Sequence, residues 1–183
     1  MSAPEPRSPL DGVLLPGPHG APGIPGVTLT ERRVALHLVS ARRGANVGLP
    51  APGRSAPFWG GVALGLAPGS AMLLGAVSPG PPPAEAALVD QSGGFAVLRL
   101  GGPAAAEALA RLCRLDLHDA AFPPGAVART PVAQVAVILY RDAHAPSFHL
   151  LVPATLARSL VHALLGAAAA FGCAILPSER DPA

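Results

Sequence analysis

Two histidines in the C-terminal part of the chain, His144 and His149, are of the residue type that most often binds metals and transfers protons. Histidines that bind one metal from a helix lie four residues apart, because that spacing puts both on one face. Here the spacing is five, and the first histidine lies within a turn sequence at residues 142–146. The pattern therefore predicts two exposed loop residues beside the start of a strand, and no metal site.

Ser92 lies between an acidic residue and two glycines, in the sequence Asp-Gln-Ser-Gly-Gly at residues 90–94. A nucleophilic serine in a Gly-x-Ser-x-Gly motif follows a strand, whereas this segment precedes one. The segment therefore predicts a turn that uses the backbone freedom of glycine. A second pair, Gly101-Gly102, follows the same strand. The two pairs bracket the strand and do not follow the strand, glycine loop, helix order of a dinucleotide site.

The chain has two cysteines, Cys113 and Cys173, in apolar surroundings and sixty residues apart. This spacing offers no metal cluster and no disulfide framework, so we predict two packing residues. All thirteen basic residues are arginine, and the absence of lysine excludes a Walker A loop, a pyridoxal phosphate Schiff base and a lysine nucleophile. We expect no catalytic, cofactor-binding or metal-binding residues in this chain.

The overall charge pattern excludes a nucleic-acid binder. The net charge is only +2, the arginines are dispersed, and aromatic residues make up 4% of the chain. Charged residues make up 13%, against about 25% in a typical domain. Two explanations stay open: burial against partner chains or a membrane, or the codon bias of a GC-rich genome.

Two apolar stretches, residues 61–77 and 159–176, could be read as membrane segments. The first is interrupted by Pro68-Gly69-Ser70, and the second depends on alanine and glycine and contains His162. We therefore predict a hairpin and a surface-packed helix. The N-terminus has no apolar core of a signal peptide, and we expect a cytoplasmic protein.

Composition divides the chain into three parts. Residues 1–26 form a Pro/Gly-rich leader that we expect to be flexible or draped over a partner. Residues 27–176 form a single α+β domain, and residues 177–183 form a C-terminal tail. In the first half of the domain the patterns predict a strand at 33–39, a hairpin of strands 62–66 and 72–77, and a stiff linker at 79–83.

The second half of the domain has the clearer periodicity. It predicts strands at 95–100, 132–140 and 147–152, with a possible last strand at 175–176. A helix after Pro103 buries Ala105, Leu109 and Leu112 and pairs Glu107 with Arg111. A second helix has the apolar stripe Leu156, Leu160, Leu164, Ala168 and Phe171. The order strand, helix, strand, hairpin strand, helix is that of a ferredoxin-like layer.

The same segments resemble the sarcosine oxidase gamma subunit family. Residues 88–103, with the sequence Leu-Val-Asp-Gln-Ser-Gly-Gly-Phe-Ala-Val-Leu-Arg-Leu-Gly-Gly-Pro, resemble its signature. Further similar segments are residues 8–10, 26–31, 112–118, 122–125, 129–130, 148–153 and 171–172. Family members usually carry a tryptophan-bearing motif in the first half, and residues 66–74 stand in its place without the tryptophan or the acids.

This resemblance implies a fold similar to part of the glycine-cleavage T protein, the aminomethyltransferase folate-binding fold. It implies the accessory gamma subunit of a heterotetrameric sarcosine oxidase, which oxidises sarcosine to glycine and reduces oxygen to hydrogen peroxide. The methyl carbon leaves as formaldehyde or as methylenetetrahydrofolate. FAD, FMN, NAD, zinc and tetrahydrofolate would belong to other subunits. The partners would be the alpha, beta and delta subunits, mainly alpha.

Two other functions stay open. A stand-alone folate-dependent aminomethyltransferase-like domain would need a carboxylate directed at the pterin, for which Asp90 and Asp116 are candidates. A small membrane-associated protein would use the last helix. If the chain is an assembly subunit, its candidate contact surfaces are the helix face with Glu107, Arg111 and Arg114, and the exposed side of the 156–171 helix.

Overall fold

The computed structural model of the chain describes residues 8–75 and 84–180. These ranges contain thirteen strands and two α-helices. The strands are β1 (Gly17–His19), β2 (Val27–Arg33), β3 (Leu36–Ala41), β4 (Ser55–Phe58), β5 (Gly61–Ala67), β6 (Ser70–Leu74), β7 (Ala86–Asp90), β8 (Phe95–Gly101), β9 (Val127–Val132), β10 (Val135–Arg141), β11 (Ser147–Pro153), β12 (Cys173–Ile175) and β13 (Glu179–Arg180). The helices are α1 (Ala105–Ala110) and α2 (Ala157–Ala168), and short 3-10 turns flank α2 at Ala154–Leu156 and Ala169–Phe171.

Eight strands form a large mixed sheet in the order β1-β12-β2-β8-β11-β10-β9, with β13 also paired to β2. Its central strands β8 and β11 are almost continuously apolar, as expected for strands that are covered on both faces. Leu98, Leu100 and Leu150 point to the side where Leu109 of α1 and Leu160 of α2 pack. This is the main core of the domain.

The opposite face of the large sheet packs against a second sheet of five strands, in the order β4-β5-β6-β3-β7. Val97, Leu151 and Ile138 of the large sheet form a core cluster with Leu64 and Met72 of the second sheet. The odd-numbered residues of β8 and β11 thus face the second sheet, and the even-numbered residues face the helices. The large sheet is therefore a middle layer, and the α+β fold class is confirmed.

The predicted ferredoxin-like order is present in the second half as β8, α1, β10, β11 and α2. The predicted single strand at 132–140 is wrong. The chain turns back at Ala133 and Gln134, so that β9 and β10 form an antiparallel hairpin. Both residues have positive φ angles, 48° and 67°, although neither is a glycine. Sequence reasoning missed this turn because it looks for Asn-Gly or similar pairs.

The predicted hairpin in the first half is confirmed, because β5 and β6 pair across a turn at residues 68–69. Residues 76–77, at the end of its second predicted strand, and the predicted linker 79–83 lie outside the described residues. The strand predicted at 33–39 is divided instead. The chain leaves the large sheet after Arg33 and starts β3 of the second sheet at Leu36. The alternation of apolar and polar residues continues through the crossover between the two sheets, so periodicity could not reveal the crossover.

Within the described residues, parts of the leader and of the tail pack against or pair with the rest of the domain. Leu10 is 2% exposed and belongs to the main core, and β1 pairs with β12. In the predicted tail, β13 pairs in parallel with β2. The sequence of these segments predicts loops because each makes only a few contacts. The partners in those contacts are brought close only by the tertiary structure. Residues 1–7 and 181–183 lie outside the described part of the chain.

The last helical segment, Ala154–Phe171, is long and apolar enough to cross a membrane by length and composition, with a mean hydropathy of 1.4. Leu160, Leu164 and Ala168 of its predicted stripe are buried against the large sheet, which confirms the surface-packed helix. Leu156 is an exception at 42% exposed, because it ends the preceding 3-10 turn. The strand predicted at 175–176 starts earlier, as β12.

Candidate functional site

His149 is a buried residue, and its prediction as an exposed loop residue is wrong. It is 1% exposed in the middle of β11, whereas His144 lies in the turn before the strand and is exposed. The Nε2 atom of His149 lies 3.1 Å from Oδ2 of Asp142, and its ring stacks on Tyr140 with the centroids 5.4 Å apart. The register of β10 and β11 places Tyr140 directly opposite His149. The two histidines therefore differ in burial, although both contact the carboxylate of Asp142.

Further polar residues continue from His149 across the same face of the large sheet. Arg99 of β8 lies opposite His149, and Thr30 of β2 lies opposite Arg99. Arg99 makes two contacts of 3.1 Å with the carboxylate of Glu179 on β13. Thr30 donates a hydrogen bond of 2.7 Å to the carbonyl of Pro177. This polar row attaches the C-terminal segment to the central strands.

The electrostatics of the row keep His149 neutral and Asp142 ionised. Burial lowers the pKa of His149, and the positive charges of Arg32 and Arg99 act in the same direction, while Asp142 opposes them. Burial tends to raise the pKa of Asp142. Hydrogen bonds from the backbone N–H of His144 and from His149 outweigh that effect, so the pKa of Asp142 lies below its usual range. An ionised Asp142 accepts a hydrogen bond, so Nε2 of His149 carries the proton.

This pair has the composition of a general base and its orienting carboxylate. A catalytic pair needs a neighbouring space for a substrate. Among the described residues, two cavities of about 380 and 300 Å³ are lined by other side chains, and neither includes His149 or Asp142. Tyr140 beside them is also buried and receives a hydrogen bond from the Ala143 N–H at 3.2 Å. The cluster therefore holds the β10–β11 hairpin together.

Ser92 lies in a turn, as predicted. Its N–H donates to Oδ1 of Asp90 at 2.8 Å, and its hydroxyl accepts a hydrogen bond of 3.0 Å from the N–H of Leu36. The hydroxyl thus joins the β7–β8 turn to the start of β3. This turn does not use the backbone freedom of glycine that the sequence predicted, because Gly93 and Gly94 do not have positive φ angles.

Asp90 and Asp116, the carboxylates considered for a pterin, each cap their own turn. Asp116 accepts a hydrogen bond of 2.9 Å from the N–H of His118, in the same pattern as Asp90 and Ser92. Hydrogen bonds from Ser92 lower the pKa of Asp90. Both side chains are exposed, and neither lines one of the two main cavities.

Cys113 and Cys173 are both buried, at 6% and 2% exposed, and form no disulfide, which fits their prediction as packing residues. Burial raises the pKa of the Cys173 thiol and so disfavours the reactive thiolate. Within the described ranges, no group of three or more His, Cys, Asp or Glu side chains could hold a metal ion.

Arg111 makes a different contact from the predicted pair with Glu107. Its guanidinium lies over the ring of Phe171, 4.4 Å from the centroid, and it reaches the carbonyl of Ala167 at 3.5 Å. It therefore joins α1 to the end of α2. Arg114 remains an exposed candidate for a contact surface.

One group of residues that sequence reasoning did not select lines a cavity of about 380 Å³ at the junction of the two sheets. Arg32 and Arg33 reach it from the end of β2, and Arg180 reaches it from β13. The doublet Arg32-Arg33 is visible in the sequence, but Arg180 lies 147 residues after Arg33. Only the pairing of β13 with β2 brings them together.

Comparisons with known proteins point to one family. No family model matches the chain. The chain is 34% identical to the sarcosine oxidase gamma subunits of Corynebacterium sp. strain P-1, over 84 residues, and strain U-96, over 87 residues. These alignments cover 46% and 48% of this chain. They span 41% and 42% of the relatives, so the chain matches about two fifths of their length.

Solved structures extend the likeness over nearly the whole chain. A chain of the heterotetrameric sarcosine oxidase from Corynebacterium sp. U-96, in complex with pyrrole 2-carboxylate, is 27% identical with a TM-score of 0.74. The match covers 91% of this chain and 96% of that chain. The glycine-cleavage aminomethyltransferase T from Bartonella henselae is 17% identical with a TM-score of 0.56, and the match covers 85% of this chain and 48% of that chain. The second likeness concerns the fold alone.

Proposed function

We propose that this chain, a member of the sarcosine oxidase gamma subunit family, is the accessory gamma subunit of a heterotetrameric sarcosine oxidase. The observation that carries the proposal is the structural match to a chain of such a complex. That match covers 96% of the other chain, with a TM-score of 0.74. A match over more than nine tenths of both chains supports the same role better than a shared motif would.

The complex would oxidise sarcosine to glycine and reduce oxygen to hydrogen peroxide. The methyl carbon would leave as formaldehyde, or as methylenetetrahydrofolate when tetrahydrofolate is bound. We assign FAD, FMN, NAD, zinc and tetrahydrofolate to the other subunits. The partners would be the alpha, beta and delta subunits, mainly alpha, in the cytoplasm.

The role we assign to this chain is assembly without chemistry of its own. The side chains best suited to catalysis make structural contacts instead. His149 is bound to Asp142, and the Ser92 hydroxyl joins the β7–β8 turn to the start of β3.

A stand-alone aminomethyltransferase is not favoured. The chain matches only 48% of the length of the aminomethyltransferase T structure, and the identity there is 17%. Asp90 and Asp116, its candidate pterin carboxylates, cap separate exposed turns.

Co-expression tests the proposal. The chain would be expressed alone and together with the alpha, beta and delta chains encoded in the same genome, with a tag on this chain only. We expect the co-expressed chains to elute with it in one gel-filtration peak that oxidises sarcosine. The chain alone should bind no flavin and produce no hydrogen peroxide. Oxidase or folate-dependent transferase activity from the chain alone would contradict the proposal.

A further inference from the structure

A groove of about 300 Å³ lies at one edge of the large sheet, on the face that packs against the second sheet elsewhere. It is formed where β8 and β10 begin and where β9 and β11 end. The register places Phe95 opposite Pro153 and Ala136 opposite Pro131. The described lining residues lie between 95 and 153 and are mostly apolar.

The groove continues the core cluster between the two sheets beyond the part that the second sheet covers. On β8, Val97 is buried in the cluster, whereas Phe95, two residues before it, is only half-buried. On β11, Leu151 is buried and Pro153 is half-buried. Ile138 belongs to both the cluster and the groove and is 5% exposed, so it forms the floor. An apolar side chain bound there would extend a core that the chain leaves open.

Arg129 supplies the charge of the groove. Among the described residues its guanidinium makes no hydrogen bond or ion pair, whereas Arg33, Arg99 and Arg141 are each paired with a carboxylate. The described lining contains no Asp or Glu. An ion pair at this exposed position becomes stronger when a bound partner excludes water from it. The groove therefore favours a partner that brings a carboxylate.

The backbone of Arg129 is open as well, because β9 is an edge strand of the large sheet. The two-residue turn makes Val132 and Val135 a hydrogen-bonded pair, and such pairs alternate along an antiparallel ladder. Arg129 is at a non-bonded position, so its N–H and C=O point away from β10. Val127 has the same orientation, and its N–H donates a hydrogen bond of 3.0 Å to the carbonyl of Gly53. No described residue makes such a bond to the backbone of Arg129.

The open part of this edge is short. The bond of Val127 limits it on one side, and a bond of 2.9 Å from the N–H of Ala133 to the carbonyl of Leu112 limits it on the other. Residues 128–131 lie between these limits, a length of roughly 13 Å at about 3.3 Å per residue. A short extended segment fits this length, and a long added strand does not.

We propose that this groove binds a short extended segment of a partner subunit. The segment pairs with the backbone of Arg129, places an Asp or Glu at its guanidinium and inserts one apolar side chain above Ile138. Backbone pairing at a sheet edge together with a side-chain pocket is a common mode of peptide recognition. The inference rests on the proposed function, because it names a contact through which the subunit would assemble.

Two changes block the groove by different means. Arg129→Glu places a like charge against the expected carboxylate. Ala136→Phe fills the groove from an exposed strand position, where an aromatic residue is well tolerated. Arg43→Glu, in the loop between β3 and β4, and Ala87→Phe, on β7, are matched controls, because they make the same changes at exposed residues outside the groove.

A competition experiment measures assembly. A variant and an unaltered copy with a different tag are co-expressed with limiting amounts of the alpha, beta and delta chains. The ratio in which the two copies enter the complex gives their relative affinity. Arg129→Glu and Ala136→Phe should each enter at least about tenfold less than the unaltered copy. Arg43→Glu and Ala87→Phe should enter equally with it.

Thermal unfolding of each tagged chain separates lost assembly from lost folding. If a groove variant unfolds, Arg129→Gln removes the charge without adding bulk and should still enter at least about threefold less. Equal entry of the folded groove variants, or an equal loss in the controls, would overturn the groove and leave the proposed function standing. Failure of the unaltered chain to enter any complex would overturn both. Equal entry combined with binding of 2-naphthoate that Arg129→Gln abolishes would assign the groove to a small anion and overturn the partner segment.

Discussion

The Nε2 atom of His149 lies 3.1 Å from Oδ2 of Asp142, so β11 is tied to the turn that leads into it. Oδ1 of the same carboxylate accepts a hydrogen bond of 2.8 Å from the N–H of His144. One side chain thus orders the turn through one oxygen and a buried histidine through the other. The two hydrogen bonds of Asp142 therefore connect an exposed turn to a well-packed strand.

Burial of neutral His149 should make stability depend on pH. In the unfolded chain its pKa returns to about 6.5, whereas burial holds it lower in the folded chain. Below pH ~6.5 the unfolded state therefore binds a proton that the folded state does not. The free energy of unfolding should fall as pH falls, by up to about 1.4 kcal/mol per pH unit from this group. Urea denaturation between pH 5 and 8 measures it.

His149→Gln should flatten this pH dependence because it removes the titrating group. His144→Gln is the matched control, since it changes an exposed histidine of the same turn and should leave the slope as it is. If both variants kept the slope of the unaltered chain, the buried histidine would not be its source.

Leu10 tests whether the leader belongs to the fold. It is 2% exposed in the main core, so Leu10→Ala should lower the free energy of unfolding by about 2–4 kcal/mol. Leu15→Ala makes the same chemical change at a residue that is 65% exposed and should cost much less. If chemical denaturation showed equally small effects for both variants, the result would support the prediction of a flexible leader.

The β9–β10 turn should be open to stabilisation. Ala133 and Gln134 hold positive φ angles that favour asparagine and glycine, and the N–H of Ala133 is bonded to the carbonyl of Leu112. The double change Ala133→Asn and Gln134→Gly keeps that N–H. It should raise the free energy of unfolding by about 0.5–2 kcal/mol. Gln134→Ala removes the side chain but keeps the Cβ, so it should give no such gain.

Charge reversal at Arg111 and at Arg114 should distinguish effects on folding from effects on assembly. Arg111→Glu loses the contact with Phe171 and should lower the free energy of unfolding by about 0.5–1 kcal/mol. Arg114→Glu changes an exposed residue and should leave stability nearly unaltered, while weakening co-elution with the partner chains. Normal co-elution of the Arg114 variant would remove this helix face from the candidate contact surfaces.

The second half of the domain was predictable from sequence because its signals are local. The strand that became β8 alternates between two covered faces, and Gly101-Gly102 and Pro103 mark its end and the helix that follows. The β9–β10 hairpin was missed because Ala133 and Gln134 adopt a turn that their own preferences oppose. There, pairing of the flanking strands outweighs the local backbone cost.

The sequence by itself determined the fold class, the excluded chemistries and the family resemblance, because these depend on residue types and on spacings within a few turns of chain. Tertiary structure decided the burial of His149, the ordering of Leu10 and the meeting of Arg32 with Arg180. His149 is covered because β11 pairs with β8, Leu10 joins a core formed by residues far along the chain, and Arg180 reaches the cavity because β13 pairs with β2. A long-range pairing forms only when the other layers are in place, so no local pattern encodes it.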